Sequence, residues 1–584
     1  MTARKECDLI MKGGITSGVV YPRAVLELHQ DYDFRSIGGA SAGAIAAAAT
    51  AAAQLGGDSG FERLARLDEE LARPGVLRGL FQPSISTRPL LDFFLQALEA
   101  AHKKGSPWFG KALSVLLALL RCGLAGALSA AALGLIIAAA AAHAVGGRLW
   151  SAPILAAVVA LLAAIAGAAA QLLWIALREV TRSGLGMCSG MPEPEYAGQK
   201  ALTPWLFEQM NLLANRAAGD APVTFGDLDD AGIELKLMTT NLSDRAPYTV
   251  PFTTHRFLFS EAEFRDLFPS EAVDFLIAQA HQSARTRPPA GFYYLPDWRL
   301  LPIALGARLS LSFPVLIRPI PLYTVKVSAF RDSEPGQLAA EDLLLNHFSD
   351  GGICSNFPIH FFDELLPARP TFGITLGEMP AAETSNTARP LEGMGRAEVA
   401  AKTPDVYLPR ANEVSPLGWK PVRSVPGLLG AMFDAAMSYR DVLQSHMPGF
   451  RERIVEVRLT ADEGGLNLDM NPDRIAALAN KGTRAGQLLL NQFDMDVHRW
   501  VRLQALMPPL AEVLAGLQAV VATQGTSTDA WYRPNMPYKR DGQWHAAATE
   551  CLAHLNDAGT PAGLAELQRP DPKPQGKLRV TPKE

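Results

Sequence analysis

Phe34-Arg35-Ser36-Ile37-Gly38-Gly39-Ala40-Ser41-Ala42-Gly43-Ala44-Ile45 decides how this chain is read. Phe34–Ile37 predicts a short buried strand, and the alanine run from Ala42 onward predicts a helix. Between them, Gly39-Ala40-Ser41-Ala42-Gly43 is a G-x-S-x-G pentapeptide, the pattern of a nucleophile on a sharp strand-to-helix turn. Such a turn needs small neighbours, because a side chain at either glycine collides with the folded-back backbone. It lifts the Ser41 oxygen above the sheet and aims it at a helix N-terminus, where free N–H groups favour developing negative charge. The pentapeptide alone is a weak signal, so its meaning depends on what else the chain supplies.

Upstream, Cys7-Asp8-Leu9-Ile10-Met11 predicts a buried strand. The loop Lys12-Gly13-Gly14-Ile15-Thr16-Ser17-Gly18 follows, and then a helix from about Val19 to His29. This loop reads either as a plain turn or as chemistry. In the second reading the N–H groups of Gly13 and Gly14, with that of Ala42, stabilise a carbonyl oxyanion. The G-x-x-x-x-G-K-[ST] order of a P-loop is absent, as is a dinucleotide fingerprint.

Composition narrows the classes. The chain has 584 residues, a net charge of −5 and 19% charged residues, so no global field favours nucleic acid. Five cysteines (Cys7, Cys122, Cys188, Cys354, Cys551) form no C-x-x-C pair, which argues against zinc and a disulfide framework and for a reducing compartment. Met1 to Lys12 does not read as a signal peptide. No calcium loop is found, and no cofactor or metal is expected.

Cys122 to Val145 carries no formal charge, Gly146-Gly147-Arg148 interrupts, and Leu149 to Leu177 is a second uncharged stretch. Trp150 and Trp174 stand near its ends, where indoles prefer a membrane interface. Small residues (Gly123, Gly126, Ala130, Gly134; Ala163, Gly167, Ala170) allow close helix approach. A soluble alanine-rich hairpin is the bland alternative, but it needs a polar face that neither stretch has. Two transmembrane helices are therefore expected, at about 113–145 and 149–177. His102, Lys103, Lys104 and Lys111 precede them and Arg178 and Arg182 follow, so both ends face the cytoplasm. The flanking residues then lie on one side and can form a single domain.

Thr203-Pro204 begins a helix running on through Trp205 to Ala217, and Phe61 to Ala101 reads as helical. Further strands are expected at Ile233–Thr240, Leu322–Ala329, Thr371–Leu376 and Ile454–Leu459. Strands alternating with helices predict an α/β fold with a mostly parallel sheet covered on both faces. Helices dominate from Asp473 to Ala522, and Gln568 to Glu584 reads as a disordered tail. Arg285–Gly291 and Pro380–Arg389 read as loops.

An activated serine needs a base. Eleven histidines leave a triad open, with His347 the candidate nearest the other motifs. The other candidate is Asp350, in Ser349-Asp350-Gly351-Gly352-Ile353-Cys354-Ser355-Asn356-Phe357-Pro358, where an aspartate before two glycines also suits a plain turn.

Taken together, the glycine loop, the elbow, Asp350-Gly351-Gly352 with Asn356-x-Pro358, and Ala307-Arg308-Leu309-Ser310-Leu311-Ser312-Phe313-Pro314-Val315-Leu316 resemble the patatin-like phospholipases, in that family's order. The resemblance spans about residues 7–100 and 200–380 and omits the apolar hairpin and everything beyond about 400. It departs in the loop, where the family commonly has three glycines and a basic residue before the last; here Lys12 begins the loop and Ser17 precedes Gly18.

The resemblance implies a three-layer α/β/α sandwich interrupted by the hairpin. It implies Ser41 as nucleophile and Asp350 as general base in a Ser-Asp dyad. Gly13, Gly14 and Ala42 would form the oxyanion hole, and Gly39, Gly43, Gly351 and Gly352 would shape the elbow and the aspartate loop. The organisation expected is residues 1–105 and 183–400 as one split domain, 106–182 as the hairpin, 401–567 as a mainly helical extension and 568–584 as the tail. The function implied is a membrane-anchored phospholipase A or lysophospholipase acting on membrane lipid. A lipid acyltransferase, a non-lipid esterase and a catalytically silent scaffold are the alternatives.

Overall fold

The computed structural model describes residues 4–558 other than 15–16, 72, 74, 103–107, 145–151, 218, 284–285, 331–335, 380–403, 411–421, 423, 461–462, 465–467, 469 and 529–541, together with Leu567. The expected glycine turn 146–148, the loop 380–389 and the tail 568–584 lie outside the described residues.

Among the described residues eleven strands join in one sheet. They are β1 (Lys5–Met11), β2 (Tyr32–Ala40), β3 (Glu234–Asn241), β4 (Ala246–Val250), β5 (Leu258–Ser260), β6 (Phe292–Tyr294), β7 (Ile320–Val325), β8 (Leu343–Asp350), β9 (Thr371–Glu378), β10 (Val406–Tyr407) and β11 (Ile454–Leu459). Their spatial order is β10-β11-β9-β1-β2-β3-β8-β7-β5-β6, with β4 alongside β3. The pairings β11/β9, β9/β1, β1/β2 and β2/β3 are parallel. The pairings β10/β11, β3/β4, β3/β8, β8/β7, β7/β5 and β5/β6 are antiparallel.

The expected mostly parallel sandwich is therefore wrong: the sheet is mixed, with parallel strands from β11 to β3, antiparallel strands beyond β3, and a short antiparallel β10 at the other edge. The strands that overturn it include β5 and β6, which at three residues each are too short to show a period of two. The strand expected at Leu322–Ala329 also stops at Val325, and a 3₁₀ turn occupies Val327–Phe330.

The helices that matter for the site are α1 (Val20–Leu28), α2 (Ala42–Leu55), α3 (Gly57–Leu71), α4 (Trp108–Cys122), α5 (Leu124–Ala144), α6 (Ala152–Trp174), α7 (Leu202–Leu213), α8 (Ile303–Ser310), α9 (Val425–Ser445), α10 (Pro472–Gln492) and α11 (Met495–Gln524). One apolar core joins β1, β2, β3 and β9 to α1, α2, α7, α8 and α10.

The C-terminal region is not a separate helical extension. β11 pairs with β9 in the main sheet, and α10 packs on α1 so closely that a Cβ at Gly482 would lie 2.1 Å from the Val20 carbonyl. The boundary expected near residue 400 is thus no boundary in the core.

Helices α5 and α6 form an antiparallel hairpin. Gly126 and Gly167 face each other so tightly that a Cβ on either would sit within 2.3 Å of the other's carbonyl oxygen. Small residues at that crossing let the two backbones meet, as their spacing predicted. The first apolar stretch is broken at Gly123, which ends α4 and starts α5. The break leaves orphan N–H groups at the start of α5. Gln171 of α6 answers one of them, its Oε1 accepting from Gly126 N at 2.6 Å. The outward faces carry exposed Leu128, Leu133, Ile136, Ile154, Leu155 and Leu162.

Among the described residues three helices are long and apolar enough to cross a membrane: Leu124–His143, Pro153–Arg182 and Met495–Gln524. The third was not anticipated. Because β2 pairs with β3, the chain entering the hairpin and the chain leaving it belong to one body.

Candidate active site

Sheet register brings the two candidate reactive residues together. Ala40, the last residue of β2, pairs with Met238 of β3, and the next residue of β3, Thr239, pairs with Asp350 at the end of β8. Ser41 and Asp350 therefore emerge at the same level of the sheet, on either side of β3. The antiparallel course of β8 is what delivers the aspartate there.

Ser41 sits at φ 55°, ψ −130°, in the left-handed half of backbone space, directly ahead of α2. Non-glycine residues avoid this region, at a cost of order 1–3 kcal/mol. Its hydroxyl makes no capping bond to α2. Its backbone N–H donates to Ser310 Oγ at 3.0 Å. The side chain is thereby left uncommitted to the helix, and the strained turn is held from outside.

Asp350 is 3% exposed. Its Oδ1 accepts from Gly352 N at 2.7 Å, while Oδ2 is buried and closes no hydrogen bond. Burial pushes the carboxyl up to about 7; the Ser41 hydroxyl and the Gly352 N–H oppose the shift. The Ser41 hydroxyl is thus near enough to be felt by the carboxyl without closing a full bond to Oδ2. Such a carboxyl is half-ionised near neutral pH, which suits a group that takes up and returns a proton.

The glycine loop approaches as expected, with one correction. A Cβ at Gly13 would lie 2.7 Å from Ser41 Cβ and 2.0 Å from Asn356 Oδ1, so only glycine brings the backbone this close. The Gly13 N–H, however, donates to the Asn356 carbonyl at 2.9 Å and is not available as an oxyanion donor. Gly14, half-buried, makes no such commitment among the described residues. The Ala42 N–H, first in α2, has no intrahelical acceptor.

Gly43 abuts β1: a Cβ there would be 2.2 Å from the Met11 carbonyl oxygen and 2.7 Å from that of Lys12. Gly39 packs on Gly43, Gly351 on the Met238 carbonyl, and Gly352 beside Asn356 and Asp350. Ile15 and Thr16 lie outside the described residues.

His347 is half-buried on β8, and burial holds its imidazole below the usual range. It stands three positions before Asp350 on the strand, so alternation sends the two side chains to opposite faces. Cys354 is half-buried on the aspartate loop. Among the described residues no group of three or more His, Cys, Asp or Glu side chains is arranged to hold a metal ion.

No family model matches the chain. A protein described as RpoH suppressor, from Rhizobium meliloti (strain 1021), is 34% identical over 612 residues, covering 92% of this chain and 89% of that protein. The chain belongs to the RpoH suppressor family. A solved structure, VipD from Legionella pneumophila, aligns over 99% of this chain and 94% of its own at 13% identity with a TM-score of 0.29, a likeness too weak to carry any argument.

In this member of the RpoH suppressor family, the last turn of α8 and the residues just after it are the bracket that holds both candidate residues. Ser310 Oγ accepts the Ser41 N–H, and the Ser312 carbonyl accepts both Asp350 N at 3.0 Å and Ser349 Oγ at 2.7 Å. Thr239 adds bonds to the Ser349 and Leu309 carbonyls at 2.8 and 3.3 Å.

Arg308, fully buried, ties the segment to its surroundings through Ser312 Oγ, Thr203 Oγ1 and the carbonyls of Ser189 and Arg318. Burial, with a smaller push from Arg318, lowers its guanidinium to about 9. Sequence reading singled out this segment by resemblance and assigned its residues no role. Side chains that bind distant backbone leave no periodic signal, so nothing in the sequence alone marked Ser310 or Ser312.

An apolar cavity of about 90 Å³ lies among α1, α2, α3 and α7, lined by Val19, Ala42, Ala46, Leu67, Trp205 and Leu311 among others.

Proposed function

We propose that this chain is a membrane-held serine acyl hydrolase that cleaves fatty-acyl esters of membrane lipids, with Ser41 as nucleophile and Asp350 as base. The observation that carries the reading is the pairing of an elbow serine at φ 55° with a buried carboxyl whose Oδ2 closes no hydrogen bond. The four motifs that resemble patatin-like phospholipases support it at the level of the site rather than the sheet. The family name RpoH suppressor assigns no chemistry.

In this mechanism Ser41 Oγ attacks the acyl carbonyl while its proton passes to Asp350 Oδ2. The carbonyl oxygen becomes an oxyanion met by the Gly14 and Ala42 N–H groups. As the ester C–O bond breaks, Asp350 returns the proton to the departing alcohol. Water then attacks the acyl-serine, again losing its proton to Asp350, and the fatty acid leaves as Ser41 recovers its hydrogen.

The apolar lining of the cavity beside Ala42 suits the first few carbons of an acyl chain, and its about 90 Å³ leaves the rest of the chain outside it. The hairpin α5–α6 is the membrane element in this reading. Helix α11 is set aside: its first turns bury His498, hydrogen-bonded to Glu452, and Arg502, ion-paired with Asp363. Further along, Pro508, Pro509, Ala511, Leu514 and Val521 are buried against the rest of the chain and Glu512 sets a charge in mid-run, so this helix does not offer a bilayer core a free apolar span. Basic residues flank the hairpin at Lys111, Arg178 and Arg182, so the positive-inside rule puts the domain, both termini and the site on the cytoplasmic side.

Full-length protein reconstituted in phospholipid vesicles should release fatty acid and lysophospholipid in equal amounts, followed by mass spectrometry. Release of neither product between pH 6 and 9 would overturn the reading. Transfer of the acyl group to an added alcohol with no free acid would reassign it as an acyltransferase. Ala46→Phe, which fills the cavity, is expected to lower kcat/KM for long-chain esters about tenfold relative to short-chain ones. An unchanged chain-length profile would remove the cavity from the account.

A further inference from the structure

The aspartate loop is held from an unexpected direction. Near the C-terminal end of α9, Asp441 is 6% exposed, and its two oxygens reach the loop separately. Oδ1 accepts from Ser355 Oγ at 2.8 Å and Oδ2 accepts from Phe357 N at 2.8 Å. Between those two residues stands Asn356, whose carbonyl accepts the Gly13 N–H at 2.9 Å and whose Nδ2 donates to the Gly13 carbonyl at 3.4 Å. The Phe357 ring is buried with Ile10, Ile359 and Phe450, which fixes the far end of the loop. One carboxylate thus clamps the residues on both sides of Asn356, and Asn356 in turn clamps the glycine loop against Ser41.

We propose that Asp441 is a positioning residue for the reaction proposed above, setting the aspartate loop and the glycine loop in register around Ser41. The proposal rests on that functional reading and adds a part of the chain that no motif covers. Helix α9 lies beyond the motif-bearing segments, so the region after residue 400 contributes to the site and not only to the core. The geometry explains why a carboxylate is used: two donors on opposite sides of one residue need two acceptor oxygens, and an amide offers one.

The test compares wild type, Asp441→Asn, Ser355→Ala and the double variant, all full-length and reconstituted in phospholipid vesicles. Asp441→Asn keeps the volume and loses one acceptor. It is expected to lower kcat roughly tenfold with KM little changed. The acid limb of the pH profile should also move below 7, because a loosened loop admits water to Asp350. Ser355→Ala should lose less, and the double variant no more than Asp441→Asn alone, as expected for partners in one contact.

Hydrogen exchange at residues 12–14 and 351–358 reads the clamp without any turnover. Faster exchange in both loops of Asp441→Asn, with the shifted limb, supports the proposal. Wild-type exchange together with an unmoved limb and unchanged kcat overturns it, as does a loss of melting temperature with no change in limb or exchange. If wild type itself releases no fatty acid, the functional reading fails, while the exchange comparison still decides whether Asp441 holds the two loops.

Discussion

Asp350→Asn is expected to abolish fatty-acid release and to make the protein more stable at pH 8. The loss follows from the role: a general base contributes roughly 10²–10⁴-fold, and an amide cannot accept the Ser41 proton. The gain follows from burial. The carboxyl rises from its ordinary value of 3.8 to about 7 in the folded chain. Between those two values the native state keeps a proton that the unfolded chain has released. This group's contribution to stability therefore falls as pH rises from about 4 to about 7 and is flat above that.

The full penalty, up to about 4 kcal/mol, is present at pH 8 and absent below pH 4. An asparagine keeps the shape, leaves Oδ1 to accept the Gly352 N–H, and carries no charge to desolvate. Denaturant titrations of both proteins should show a gap that is widest at pH 8 and closes toward pH 4. A variant less stable than wild type at every pH would mean that the carboxylate is satisfied in a way the buried Oδ2 does not reveal.

Ser41→Ala is expected to lower hydrolysis to background, a loss of at least about 10³-fold, with vesicle binding intact. Alanine inherits the strained backbone, because any Cβ at φ 55° meets the same neighbours. Ser41→Gly should be equally inactive yet more stable than Ser41→Ala by about 1 kcal/mol, since glycine occupies this region freely. Matching melting curves for the two variants would show that the elbow is less strained than its dihedral angles indicate. Activity retained in either one would remove Ser41 from the mechanism.

The elbow was legible in the sequence because its rule is local: a strand, a small-residue turn and a helix follow one another in the chain. The same holds for β1, for β9 and for β11, whose bounds match the strand expected at Ile454–Leu459. What sequence reading missed is non-local. Strand β8 reads Leu-Leu-Leu-Asn-His-Phe-Ser-Asp, without alternation, and its antiparallel pairing with β3 could not be inferred from neighbours in the chain. That pairing is what turned the expected parallel sandwich into a mixed sheet.

The oxyanion set shows the same limit at the scale of one bond. The pattern Gly13-Gly14 offered two N–H donors, and only the Asn356 carbonyl, brought from the far end of β8, shows that one of them is taken. Gln171 behaved likewise: in sequence it interrupts an apolar run, and in the fold it answers the broken turn at Gly126.

The most direct test of the Ser41–Asp350 pairing is the pH dependence of covalent labelling by a fluorophosphonate, read by intact and peptide mass. The full-length protein in lipid should gain a single adduct, on Ser41, at a rate that rises with pH around a midpoint near 7, and Asp350→Asn should label at least about 10²-fold more slowly. A protein that gains no adduct, or one that labels at Ser41 with the same rate and pH profile after Asp350→Asn, would contradict the account.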